Sequence, residues 1–188
     1  MTAAFLLRSS SALEEVTQHV DDSEARGTVI EAFLAQHILV VICAEVQQEI
    51  SRLIKSRIDE VGSIELTSFT VASCTRLFRS VMTSEIAGLL GHFSRACKDS
   101  FNEQLDDRLI FQYNAAVKDR HAVAHTSGVQ ITLNDARQVL EHADLVLAAA
   151  AQALGQLNFC RIVVSEDAPV ERLDEIEGRG PESNFEAE

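Results

Sequence analysis

One short segment in the second half of the chain concentrates side chains suited to proton transfer and phosphate binding. The stretch VKDRHAVAHTSG, residues 117 to 128, contains Arg120, His121 and His125, although the chain has only six histidines. Imidazole titrates near neutral pH and can act as base or acid. A guanidinium offers several fixed N–H donors to a phosphate. The segment is therefore the first candidate for an active site.

A helical projection places these residues on two adjacent faces. The face that contains Arg120 is otherwise apolar and consists of Leu109, Tyr113, Val117 and Ala124. A polar flank runs beside it, formed by Asn114, His121 and His125. An arginine on an apolar face needs a partner, because burying an unpaired charge is costly. That partner could be a carboxylate, a helix C-terminus, a second subunit or a phosphate.

The spacing of the histidines allows two interpretations. His121 and His125 stand four residues apart, as two metal ligands on one helix face do, but HAVAH lacks the glutamate of the zinc-protease H-E-x-x-H pattern. Without clear further ligands, the sequence predicts no metal ion. The second interpretation pairs Arg120 with His125 as R-x-x-x-x-H. The same spacing from Arg137 to His142 lies well inside the last predicted helix, so we interpret it as a coincidence.

The remaining sequence predicts a single all-α domain. The chain has 188 residues, of which 46% are hydrophobic, and both prolines lie near its end. Strand-like alternation is nearly absent, so we expect a bundle of about five or six helices. The predicted helices cover about Ala4 to Val20, Glu24 to Val61, Leu66 to Val81, Ser84 (a possible N-cap) to Leu105, Asp106 to His125, and a last helix from a cap at Thr132 or Asn134 to about Phe159.

The second predicted helix is the longest and the most apolar. Isoleucine, leucine and valine recur at every fourth position, at Ile30, Leu34, Ile38, Ile42, Val46, Ile50, Ile54 and Ile58. A spacing of four overshoots the helical turn, so this row winds around the helix and should meet several neighbours. The run from Ile38 to Ala44 is apolar all round, which predicts a bundle interior or a subunit interface. It is shorter than the ~20 residues that span a bilayer, so no membrane segment is predicted.

The net charge bears on binding to nucleic acid, and the cysteines bear on the location of the protein in the cell. The net charge is −13; the stretch from Ser165 to Glu188 carries −7 of it, which leaves −6 for the rest. Broad electrostatic capture of nucleic acid is therefore not expected, and any such contact must be local. The four cysteines form no C-x-x-C pair, and the N-terminus has no signal-peptide pattern. These features predict a cytoplasmic location.

Taken together, several segments resemble the HEPN superfamily of small helical proteins, in particular its RiboL-PSP-HEPN branch. The similar segments occur in order over most of residues 28 to 158, and they are AFLAQHILVVICAEVQQEISRLI, SEIAGLLGHFSRAC, KDRHAVAHTSG and TLNDARQVLEHADLVL. The first twenty or so residues and the chain from Cys160 onward are not covered. The resemblance implies a HEPN-like helical domain at residues 1 to 160, with a long central helix, followed by an acidic tail at residues 161 to 188.

The resemblance also implies an activity. Proteins of this family form a two-fold dimer in which the motifs of both subunits meet in one cleft and cut RNA without a metal ion or other cofactor. Carried onto this sequence, Arg120 binds the scissile phosphate and His125 moves the proton of the ribose 2′-hydroxyl. His121 occupies a motif position that is usually polar, and Asn114 would orient it. A toxin or phage-defence context, with an inhibitory partner protein, is also implied.

Two alternatives stay open at this point. Some HEPN toxins carry a tyrosine two residues after the motif histidine, which a partner nucleotidyltransferase modifies; here that position is Ser127, so this control is not expected. The acidic tail could instead cover the Arg120 cleft as a phosphate mimic, or be a solvated extension. The alternative function is a non-catalytic HEPN-type dimer that binds a nucleotide or a protein partner.

Overall fold

The structure, a computed structural model, describes residues 5–60, 63–123 and 131–155, and for residues 75 and 119–123 it describes the backbone alone. Within these residues the fold is all-α and contains no strand, which confirms the predicted class. The predicted count of five or six helices is too low, because the described residues form seven. They are α1 (Leu7–Asp22), α2 (Val29–Asp59), α3 (Ile64–Leu77), α4 (Thr83–Gly91), α5 (Arg95–Glu103), α6 (Asp107–Val123) and α7 (Leu133–Ala153).

The 31-residue helix α2 is the centre of the fold, as predicted, and α1, α3, α6 and α7 all pack against it. It begins where the Thr28 side chain accepts a hydrogen bond from the Ile30 N–H at 3.2 Å, an N-cap that satisfies a free donor. The predicted winding row is buried from its third member onward, at Ile38, Ile42, Val46, Ile50, Ile54 and Ile58. Different stretches of the row therefore meet different neighbours.

The first half of α2 keeps one apolar side exposed. Residues at alternating spacings of three and four, which we call the α2 stripe, face outward: Ile30, Phe33, His37, Val40 and Ala44. The run from Ile38 to Ala44 is thus not buried all round within one chain. Among the described residues, α2 is also the one helix long and apolar enough to cross a membrane. A core helix shares these properties, and 44% of its most apolar window is buried in the bundle.

A buried glutamate of α2 holds the start of α1. Leu6, the residue before α1, provides no capping side chain. Instead, the Glu45 carboxylate accepts hydrogen bonds from the backbone N–H groups of Arg8, at 3.1 Å, and Ser9, at 2.7 Å, and a third from the Ser9 hydroxyl. These bonds satisfy donors that the first helical turn leaves free. They explain how a charged residue is tolerated in the core at 5% exposure.

The prediction of one helix from Ser84 to Leu105 is wrong, because the chain forms two helices there. Gly91 ends α4, and Ser94 takes an extended conformation and accepts a hydrogen bond from the Cys97 N–H at 3.1 Å, which starts α5. Serine competes with helix continuation in this way. Ser84 is also not the cap, because it lies inside α4, whose N-cap residue is Met82.

The last two helices follow the prediction more closely. The structure places α6 at Asp107–Val123, so the predicted end at His125 lies outside the described residues. α7 begins at the predicted cap Thr132 and ends at Ala153, before the predicted Phe159. Gly155 follows with φ of +76°, the left-handed conformation with which many helices end. The predicted acidic tail, residues 161 to 188, lies outside the described residues.

Candidate functional site

The helix that carries the motif is fixed by its apolar face. Leu109, Tyr113 and Val117 are all buried, as the projection of the sequence predicts. Tyr113 is fully buried, and its hydroxyl donates a hydrogen bond to the Val81 carbonyl oxygen at 2.9 Å, just before α4. A buried tyrosine hydroxyl needs such a partner. This bond sets the position of α6 two turns before the motif.

A second link between α6 and α4 comes from Asn114. Its Oδ1 accepts a hydrogen bond from the backbone N–H of Thr83 at 3.0 Å, and its Nδ2 donates to the Thr83 hydroxyl at 2.9 Å. Thr83 is the first residue of α4, so Asn114 satisfies a free N–H of that helix from outside. The predicted role of Asn114 in orienting His121 stays a prediction.

The motif itself starts in the last turn of α6. The backbone of Arg120 and His121 is helical, in register with the buried Tyr113 and Val117. At 1.5 Å per residue, His121 lies about 10.5 Å beyond Asn114 along the helix axis. The side chains of Arg120 and His121, and all of His125, lie outside the described residues. Their predicted convergence therefore stays a prediction.

The chain is fixed again where it re-enters the described structure. Ile131 is buried, and Thr132 and Asp135 form a reciprocal capping box at the start of α7. Asp135 Oδ2 accepts from the Thr132 N–H at 2.9 Å, and the Thr132 hydroxyl accepts from the Asp135 N–H at 3.2 Å. Residues 124–130, which include His125, thus precede a capped helix start in the sequence.

Sequence reasoning missed Glu31, which supports this anchor from α2. Its Oε1 accepts a hydrogen bond from the Leu133 N–H at 3.3 Å, and its Oε2 accepts from the Gly27 N–H at 2.7 Å. Arg26 lies 3.5 Å away and completes an ion pair. The bond from Gly27 is the main cause that lowers the pKa of Glu31; burial opposes it, while Leu133 and Arg26 add to the lowering. The sequence signal for this contact is an acidic residue, Glu31, in the first turn of an apolar helix.

Two weaker patterns in the sequence stand differently. The side chains of His121 and His125, which a metal ion would need, lie outside the described residues, so that pattern is not tested. Among the described residues, no group of three or more histidine, cysteine or acidic side chains could hold a metal ion. The second match, Arg137 and His142, lies on the uninterrupted helix α7. Five residues of a helix turn through about 140°, so Arg137 and His142 lie on different sides of α7. The interpretation of this match as a coincidence stays a prediction.

Comparisons of the chain with protein-family models, with curated proteins and with solved structures found no match. The resemblance described above therefore rests on the motif segments of the sequence and on their order.

Proposed function

We propose that this protein is a metal-independent endoribonuclease of the HEPN type that acts as a homodimer. The observation that carries the proposal is the position of Arg120. In the helical projection of the sequence it shares a face with Tyr113 and Val117, which are buried, and its backbone lies in the last turn of α6, five residues before His125. A cation in that register needs an anionic partner, and a scissile phosphate in a subunit cleft is one.

The chemistry requires only the side chains of the motif and the substrate. The ribose 2′-oxygen attacks the adjacent phosphorus, and the bond from phosphorus to the 5′-oxygen breaks. One His125 accepts the proton of the 2′-hydroxyl, and the partner's His125 protonates the leaving 5′-oxygen. Arg120 stabilises the charge that develops on the phosphate oxygens. The products are a 2′,3′-cyclic phosphate and a 5′-hydroxyl.

Dimerisation is supported by the α2 stripe. Phe33 is 68% exposed and Val40 is 49% exposed, and the three-and-four spacing of the stripe is that of helices that pack side by side. The stripe starts next to Glu31, which contacts the first residue of α7. A subunit interface along the stripe would therefore lie near the start of α7, the helix that follows the motif in the sequence.

The experiment that tests the proposal compares RNA with DNA. Purified protein is incubated, with and without EDTA, with labelled single-stranded RNA, with DNA of the same sequence, and with RNA that has one 2′-deoxynucleotide at the cleaved position. We expect cleavage of the RNA alone, with a cyclic phosphate at the new end. Cleavage of DNA, or loss of cleavage with EDTA, would contradict the mechanism. No cleavage of any substrate would favour the dimer that binds a nucleotide or a protein.

A further inference from the structure

The side of α6 opposite its buried face carries an exposed aromatic ring and a cation. Phe111 is 76% exposed, more than any other phenylalanine in the described part of the chain, and Lys118 is also exposed. Lys118 forms no ion pair with a described residue. Together with their neighbours they line a shallow depression, which we call the α6 outer face: Asp107, Ile110, Phe111, Asn114, Ala115 and Lys118.

The α6 outer face leads toward the motif. Phe111 and Lys118 are seven residues apart, so they lie almost directly above one another, about 10.5 Å apart along the axis. His121 follows on the adjacent flank, about 15 Å beyond Phe111. A few nucleotides of single strand can span that distance. The ring and the cation thus lie beside the path that a strand would take to the predicted cleavage position.

We infer that the α6 outer face binds single-stranded RNA next to the cleavage site, with an unpaired base stacked on Phe111 and a phosphate on Lys118. This inference rests on the proposed function. Aromatic rings on protein surfaces bind unpaired bases by stacking, which depends little on sequence. Because the chain carries a net charge of −13, long-range attraction cannot hold the RNA. Stacking does not need such attraction, and one lysine supplies the local contact with a phosphate.

The composition of the α6 outer face favours RNA over a second copy of the chain. The centre of a protein–protein interface is depleted in charged residues. Here one ring lies among a carboxylate, an amide and an ammonium group, from Asp107, Asn114 and Lys118. The α2 stripe, by contrast, contains one histidine, His37, and no carboxylate, ammonium or guanidinium group. The two surfaces therefore suit different partners.

The test measures RNA binding separately from cleavage. The His125→Ala protein, in which the substrate should survive, is titrated against a fluorescein-labelled single-stranded RNA and followed by anisotropy. Adding Phe111→Ala should weaken binding about fivefold to a hundredfold, while Phe111→Trp should retain it. Phe69→Ala is the matched control, because Phe69 is 72% exposed on α3. It should bind RNA like the parent.

Lys118 has its own readout. The logarithm of the binding constant falls as the logarithm of the salt concentration rises, with a slope of about −0.7 for each phosphate contacted on a single strand. Lys118→Ala should therefore make this slope about 0.7 less steep. Lys98→Ala, at an exposed lysine on α5, should leave the slope unchanged. An unchanged slope for Lys118→Ala would remove this residue from the binding surface.

The outcomes separate this inference from the proposed function. If the parent cleaves RNA but Phe111→Ala binds it equally well, the inference is wrong and the proposed function stands. If RNA binding depends on Phe111 but the protein with His125 intact cleaves no RNA, the α6 outer face is an RNA-binding surface and the ribonuclease proposal fails. A shift of Phe111→Ala to monomers in light scattering would assign the α6 outer face to a subunit contact and overturn the inference. Absence of RNA binding by the parent would also overturn it.

Discussion

The Glu31 carboxylate accepts a hydrogen bond from the backbone N–H of Leu133 at 3.3 Å, across 102 positions of the sequence. The contact joins the first turn of the central helix α2 to the first residue of α7. Because the same carboxylate also accepts from Gly27 and pairs with Arg26, it is fixed in place. The segment that carries His125 is thus followed by a helix whose first residue is bonded to the central helix α2.

This relationship predicts a pH-dependent contribution to stability. The pKa of Glu31 is lowered below its ordinary value of 4.5, mainly by the hydrogen bond from Gly27. A lowered pKa in the folded state means that the stabilisation is fully present above about pH 4.5 and is lost as the pH falls through the folded value. Glu31→Gln should therefore cost about 1–3 kcal/mol at pH 7 and progressively less in acid. Urea unfolding at several pH values measures this difference.

The control for Glu31 is Glu14→Gln. Glu14 is exposed on α1 and makes no ion pair with a described residue, so its replacement should change the free energy of unfolding by less than about 0.5 kcal/mol. A Glu31→Gln effect that is the same at pH 7 and at pH 4 would show that the charge of Glu31 is not what stabilises the contact.

Asn114 gives a second prediction about stability. Thr83 is 6% exposed, and Asn114→Ala removes the side-chain groups that bond to its backbone N–H and hydroxyl, so we expect a loss of about 1–3 kcal/mol. Asn114→Asp should retain most of the stability, because a carboxylate accepts from both groups once the hydroxyl rotates. Thermal or urea unfolding of the two variants gives the comparison.

Gln112→Ala is the matched control for Asn114, because Gln112 is an exposed polar residue on the same helix. Equal destabilisation by Gln112→Ala and Asn114→Ala would contradict an anchoring role. RNA cleavage by Asn114→Asp tests the separate prediction that Asn114 orients His121. The substitution keeps acceptors for Thr83 but removes the amide N–H, so an orienting role predicts slower cleavage by a stable variant.

Local signals in the sequence predicted much of the fold. The apolar row predicted the central helix, and the Thr132-Leu-Asn-Asp135 pattern predicted the start of α7, where Thr132 and Asp135 cap each other. Both features depend on residues close together in the chain. The sequence does not predict the break at Ser94, because apolar residues recur at helical spacing on both sides of it, at Phe93 and Cys97. The N-cap that starts α5 is a single hydroxyl, that of Ser94.

The hydrogen bonds that join different helices could not be predicted from local sequence patterns. Glu45 binds the first turn of α1 from 36 or 37 positions away, and Asn114 binds Thr83 from 31. The N-cap residues of α1 and α4, Leu6 and Met82, provide no capping side chain, so Glu45 and Asn114 take that role. A polar residue within an apolar pattern signals that a partner exists, but which helix end supplies the partner depends on the packing of the whole bundle.

The proposed dimer leads to a prediction about Phe33. A carboxylate introduced by Phe33→Glu would be buried without a partner in a subunit interface along the α2 stripe, so we expect monomers. Helicity should be kept, because Phe33 is 68% exposed within one chain. Light scattering at micromolar concentration measures the mass. Phe69→Glu, at a similarly exposed phenylalanine on α3, should remain dimeric. A monomeric parent protein would exclude the shared site.

The motif itself gives the last prediction. His125→Ala should remove proton transfer and lower the rate of RNA cleavage by about a hundredfold to ten-thousandfold, with the helical spectrum and dimer mass unchanged. Arg120→Ala should also abolish cleavage, and it should weaken assembly too, because the helical projection of the sequence places Arg120 on the same face as Tyr113 and Val117, which are buried. Arg137→Ala is the control, since α7 directs Arg137 away from His142 and its replacement should leave cleavage intact. Cleavage that survives His125→Ala would show that another group, or a contaminating nuclease, cuts the RNA.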